Sequence, residues 1–149
     1  MDPVAITAQM TEPTFFDVVQ KSPRKVREVL FSQLGVKAKK KGSGIHIQEN
    51  REDRVRKLHQ KLSSMHSKKE SEVCRELIRN WLYTKRPMLK SALDFLGIPN
   101  DAGLVDQETD FFSNLSKDRV QELVTHLKKD FDAEHVSVYL QFMEVPHIS

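Results

Sequence analysis

Four lysines, Lys37, Lys39, Lys40 and Lys41, stand directly before Gly42-Ser43-Gly44. Ammonium groups at that density neutralise phosphates, and each contact releases counterions, so binding of this kind weakens steeply with salt. The next helical stretch adds Arg51, Arg54, Arg56, Lys57 and Lys61. These nine residues are the candidate contacts for an anion or a nucleic-acid backbone. They lack a means of reading bases. No Phe, Trp or Tyr lies between Gly35 and Asn80, so single strands have no stacking platform there. Zinc-finger and aromatic RNA-binding signatures are also missing. The competing reading of 36–48 is a solvated linker rich in Gly and Lys, and charge runs usually serve that role. A third reading has the same charges meeting an acidic protein.

Nucleophiles and metal ligands are sparse. His59 and His66 are seven apart and share a helix face, and Cys74 follows eight residues later. Structural zinc takes four ligands, usually in close pairs such as C-x2-C or H-x3-H, and neither pair occurs. A catalytic thiol needs a lowered pKa and an orienting base. Cys74 instead sits in an apolar stripe, the setting of an inert buried thiol. Asp101, Asp106, Glu108 and Asp110 lie close together in the chain. Their register lacks the central glycine and the twelfth-position glutamate of a calcium loop. Lys41-Gly-Ser-Gly44 is not G-x-x-x-x-G-K-[ST], so it is no phosphate loop. No catalytic residue, metal or cofactor is assigned, and no small-molecule substrate is expected.

Two apolar features point to protein contact. Val55, Leu58, Leu62 and Met65 step by three, four and three, a narrow seam that resembles half of a helix pair. Such a seam would be free for a second copy unless the chain's own helices cover it. Trp81 and Tyr83 point about 160° apart on a helix. Trp81 continues the stripe of Val73, Cys74, Leu77 and Ile78, which leaves Tyr83 outward, beside Lys85 and Arg86.

The elements that must position these residues are helical. Residues 1–12 read as a flexible arm. Thr14 caps a short helix through Val19. Ser22 and Pro23 open the next, with Val26, Val29, Leu30 and Leu34 on its stripe and Gly35 as its stop. Glu49 to Met65 is helical. Ser67 to Glu70 reads as a capping box that opens the longest apolar stripe in the chain. Arg86-Pro87 breaks that helix, because a residue before proline resists the α region. A further helix follows from Pro87, with Met88, Leu89, Ala92, Leu93 and Leu96 on its stripe, and stops at Gly97. Asp106 caps a short helix holding Phe111, Phe112 and Leu115; Ser116 and Asp132 cap two more. Pro146 ends the last. No segment reads as a strand.

The fold class expected is therefore all-α: an irregular bundle of about five to seven short helices with a flexible basic linker. Its parts are an arm (1–12), an N-terminal helical segment (13–35), the linker (36–48) and a helical core domain (49–149). With 149 residues, 38% hydrophobic and 30% charged, the chain can bury a core without staples. The lone cysteine and the lack of a signal-like or membrane-spanning stretch suggest the cytoplasm. Net charge is +3 but uneven. Residues 1–90 hold 20 Lys and Arg against 10 Asp and Glu, and residues 91–149 hold 4 against 11. The function expected is a non-enzymatic helical interaction protein. Its basic N-terminal half would face an acidic protein partner or another copy of the chain. The alternative is a nucleic-acid-binding protein that contacts phosphates through Lys37–Lys61.

Overall fold

Asp2 begins the first helix. Its carboxylate accepts from the Val4 N–H at 3.1 Å, and Pro3 occupies the first turn, where a missing N–H costs nothing. The computed structural model describes residues 2–33, 51–62, 68–105 and 111–148. Over these residues it is all-α, with eight short helices and no strand. They are α1 (Pro3–Gln9), α2 (Glu12–Lys21), α3 (Arg24–Gln33), α4 (Arg51–Leu62), α5 (Lys68–Tyr83), α6 (Arg86–Phe95), α7 (Lys117–Asp130) and α8 (Ala133–Phe142). The chain divides into two compact units, Asp2–Trp81 and Leu82–Ser149.

In the Asp2–Trp81 unit, α4 packs against α1 and α2. Val4, Ile6, Phe15, Val18, Leu30, Leu58, Cys74, Leu77 and Trp81 form the core. Two polar links fasten α5. Ser71 Oγ donates to Asp2 Oδ1 at 3.1 Å, and Trp81 Nε1 donates to Asp17 Oδ2 at 2.8 Å. The arm expected over 1–12 is thus, over Pro3–Gln9, a helix with Pro3, Val4, Ile6 and Thr7 buried. The first helix boundary also moves. Thr11, not Thr14, precedes α2, and Thr14 is buried inside it. Ser22 closes α2 rather than opening α3: its hydroxyl donates to the Val19 carbonyl at 2.6 Å.

In the Leu82–Ser149 unit, α7 packs against α6 and α8. Ser116 caps α7 through the Arg119 N–H, and Asp132 caps α8 through the Glu134 and His135 N–H groups. Both caps stand where the sequence placed them. Over 111–115, the described part of the short helix expected around Phe111, Phe112 and Leu115, there is no helix, and its Asp106 cap lies outside the described residues. Residues 111–115 form a bend and a turn, closed by Leu115 N–H to the Phe112 carbonyl at 3.3 Å. Phe112 is buried there, edge-on to Tyr139 at 6.3 Å between centroids.

Two helix ends share one device. After α6, Ile98 N–H reaches the Leu93 carbonyl and Gly97 N–H the Asp94 carbonyl, with Gly97 at φ +72°. After α8, Val145 N–H reaches Leu140 and Glu144 N–H reaches Gln141, with Glu144 at φ +56°. This is the paired 6→1 and 5→2 bonding of a Schellman end, which favours glycine at the left-handed position. Between α6 and α7, Asp101 and Leu104 exchange both backbone hydrogen bonds around Ala102 and Gly103, at φ +49° and +86°. That is a two-residue turn with both central residues left-handed.

Candidate functional site

Helix α4 positions the part of the predicted basic set that is described. Arg56, Lys57 and Lys61 are exposed on it. Arg56 is committed on two sides: Nε lies 3.3 Å from Glu12 Oε2, and a terminal guanidinium nitrogen lies 3.2 Å from Asp53 Oδ1. Lys57 and Lys61 also have interaction partners. Arg51 and Arg54 fall in α4, but their side chains lie outside the described ones, as do residues 36–48 with Lys37, Lys39, Lys40 and Lys41.

The apolar seam is a correction. Val55, Leu58 and Leu62 are buried, with Leu58 and Leu62 at 0% exposure, because α4 lays this face against α1 and α2 of its own unit. It is an internal packing surface, not a free half of a helix pair between copies. Met65 lies outside the described residues. Tyr83 is exposed at 47%, with the Arg86 guanidinium 5.9 Å from its ring centroid.

A cleft of about 330 Å³ opens beside α2 and α4, lined by Phe16, Val55, Arg56 and His59 among others. His59 Nε2 lies 3.1 Å from the Thr7 carbonyl. A carbonyl only accepts, so Nε2 carries the proton. The imidazole also stacks on Phe15, centroids 4.6 Å apart. The polar side chains of this cleft are thus already engaged, Arg56 with Glu12 and Asp53 and His59 with the Thr7 carbonyl. Nearby, Cys74 is fully buried, and burial pushes its thiol up from 9.0 to about 11, against a smaller lowering by the Thr7 hydroxyl. Such a thiol is not a nucleophile near neutral pH.

In the other unit, His126 Nε2 lies 2.9 Å from Ser91 Oγ. The His126 ring stacks on Phe95 at 4.5 Å, and the Arg119 guanidinium stands 4.5 Å over the Phe95 ring. Arg119 also donates to the Phe95 carbonyl at 2.9 Å and pairs with Glu122 at 2.9 Å. Ser91 and His126 resemble two thirds of a hydrolytic triad. No carboxylate is bonded to His126 among the described residues; the contact joins α6 to α7. Sequence spacing did not reveal it, since the partners are 35 residues apart. Among the described residues no group of three or more His, Cys, Asp or Glu could hold a metal ion. None of the described helices is long and apolar enough to cross a membrane.

A second groove, about 350 Å³, runs along α7 and α8. The sequence reading missed it, because its polar residues are ordinary and carry no motif. No family model, no curated protein and no solved structure matches this chain.

Proposed function

We propose that the chain is a non-enzymatic helical interaction protein that presents its basic N-terminal half to an acidic protein partner. One observation carries this reading. Lys21, Lys25 and Arg27, at the end of α2 and on α3, have no ion pair with any described residue. Val29, one turn beyond Lys25, is 45% exposed. Unpaired cations on this part of the unit, with the exposed Val29 one turn from Lys25, suit a partner that brings carboxylates and an apolar side chain. Unit charge agrees: residues 2–81 hold 17 Lys and Arg against 10 Asp and Glu, and residues 82–149 hold 7 against 11. Of the two partners the sequence suggested, a second copy loses its best support, since the α4 seam is filled from within. The phosphate-binding alternative loses support on α4, where Arg56 already answers two carboxylates. The reading places the protein in a reducing compartment such as the cytoplasm, where an unpaired Cys74 is stable.

The test compares a labelled Glu/Leu-rich amphipathic peptide with a labelled mixed-sequence DNA, duplex and single-stranded, at low and physiological salt. The expected result is preference for the peptide, weakened by salt and by Val29→Ser. A Lys37, Lys39, Lys40, Lys41→Ala variant tests the upstream run in parallel. Stronger DNA binding that collapses in that variant would replace this reading with the phosphate-binding one. No binding to either probe at low salt would sink both.

A further inference from the structure

The α7–α8 groove differs from the other cleft in how its polar groups are spent. On α7, Gln121, Thr125 and Lys128 recur at i, i+4 and i+7 and so form one ridge. On α8, Ser137 and Gln141 are an i, i+4 pair. All five line the groove, and none has a side-chain hydrogen bond or ion pair to any described residue. The floor is apolar: Val120, Val136 and Leu140 line it and are each no more than 2% exposed. Lys128 is the one lysine, arginine or carboxylate among the lining residues. The far wall comes from the tail after α8, held by left-handed Glu144 and His147 at φ +56° and +62°. Non-glycine residues adopt that conformation only under strain and persist in it where the surroundings enforce it, often at binding sites.

We propose that this groove binds a small organic monocarboxylate. Its apolar body rests on Val120, Val136 and Leu140, its carboxylate meets Lys128, and the amides and hydroxyls of the two ridges supply orienting hydrogen bonds. The volume lies within the roughly 300–1,000 Å³ usual for small-molecule sites, and an apolar floor with a few free polar groups is their usual chemistry. Lys128, with no paired carboxylate and with His147 also in the lining, favours a negatively charged ligand over a neutral one of the same shape. The site is independent of the acidic-partner surface on α3.

The experiment is a ¹H–¹⁵N titration of the full-length chain with benzoate and with hexanoate, beside benzyl alcohol and hexanol as neutral isosteres. The expected result is saturable shifts in 120–128 and 136–141, tighter for the carboxylates. Lys128→Gln weakens the carboxylates about 1.5- to fivefold, the range for one solvent-facing charge contact, and leaves the alcohols unchanged. Lys129→Gln, at the neighbouring position, changes neither. Equal binding of alcohols and carboxylates, or carboxylate binding indifferent to Lys128→Gln, would overturn the assignment. So would the absence of saturable shifts with either acid.

Discussion

Cys74 shows how far one residue's chemistry is set by its surroundings. Its thiol is fully buried and raised to about 11, with burial the main cause and the nearby Asp2 and Glu70 carboxylates adding to it. The folded state therefore holds a proton between about pH 9 and 11 that the unfolded chain gives up. The stabilisation is fully present below the unfolded value and is lost as pH rises through the folded one. Tyr139 acts in the same sense, since burial also raises its hydroxyl. Cys74→Ala is expected to lower stability at neutral pH by about 1 kcal/mol and to make the alkaline decline shallower. Denaturant unfolding from pH 7 to about 11, past the unfolded value of 9.0 and up to the folded one, checks both; an unchanged alkaline slope would contradict the assignment. Asp94 is shifted the opposite way. Hydrogen bonds from Lys90 at 2.6 Å, then from Asn100 at 2.9 Å, hold its carboxyl below the usual range. That contribution is present at neutral pH and is lost as acid titrates the group.

At the scale of elements, the left-handed positions make separable demands. At Gly103 an added Cβ would lie 2.7 Å from Leu89 Cβ and 2.9 Å from the Lys90 backbone nitrogen, at φ +86°. Gly103→Ala is expected to cost about 2–4 kcal/mol, the sum of left-handed strain and steric overlap. Gly97 has the same sign of φ but open space, so Gly97→Ala costs only the strain, about 1 kcal/mol. Glu144→Gly relieves strain and gains about 0.5 kcal/mol after the added freedom of the unfolded chain. Thermal denaturation of the three variants should rank them in that order; equal losses at Gly97 and Gly103 would refute the steric part. The sequence showed much of this level. Ser116 and Asp132 were legible as caps because their short oxygens stand just before apolar periodicity. Gly97 was legible as a stop. The first helix was not, although Asp2-Pro3 is a cap followed by a first-turn proline. Seven residues are too few for a periodic signal. Val29 fits the stripe of α3 by spacing yet is exposed, because spacing gives a helix face but not which part of it meets a neighbour.

At the scale of the whole chain, the α4 seam shows why site reading from sequence fell short. Val55, Leu58 and Leu62 have the spacing of an interface whether the other side is a second molecule or the chain's own α1 and α2. Only the three-dimensional arrangement decides between them. Leu58→Ala is expected to destabilise the Asp2–Trp81 unit by about 2–5 kcal/mol and to leave the molecular mass in solution unchanged. A drop in mass without loss of stability, read by light scattering beside denaturation, would return the seam to an intermolecular role. The α7–α8 groove escaped for the opposite reason: Gln121, Thr125, Ser137 and Gln141 look like an ordinary solvated surface until two helices set them around one floor.

The placement of the aromatic chromophores gives the molecule a built-in division of optical signals. The single tryptophan lies in the Asp2–Trp81 unit, its indole N–H held by Asp17 at 2.8 Å. Both tyrosines, Tyr83 and Tyr139, lie in the other. Red-edge excitation, which tyrosine does not absorb, therefore reads one unit alone. Near-ultraviolet tyrosine bands, once the overlapping tryptophan signal is subtracted, read the other, with no label attached to either. Whether the two units melt as one cooperative body or in succession becomes a matter of overlaying two colours from the same unmodified sample.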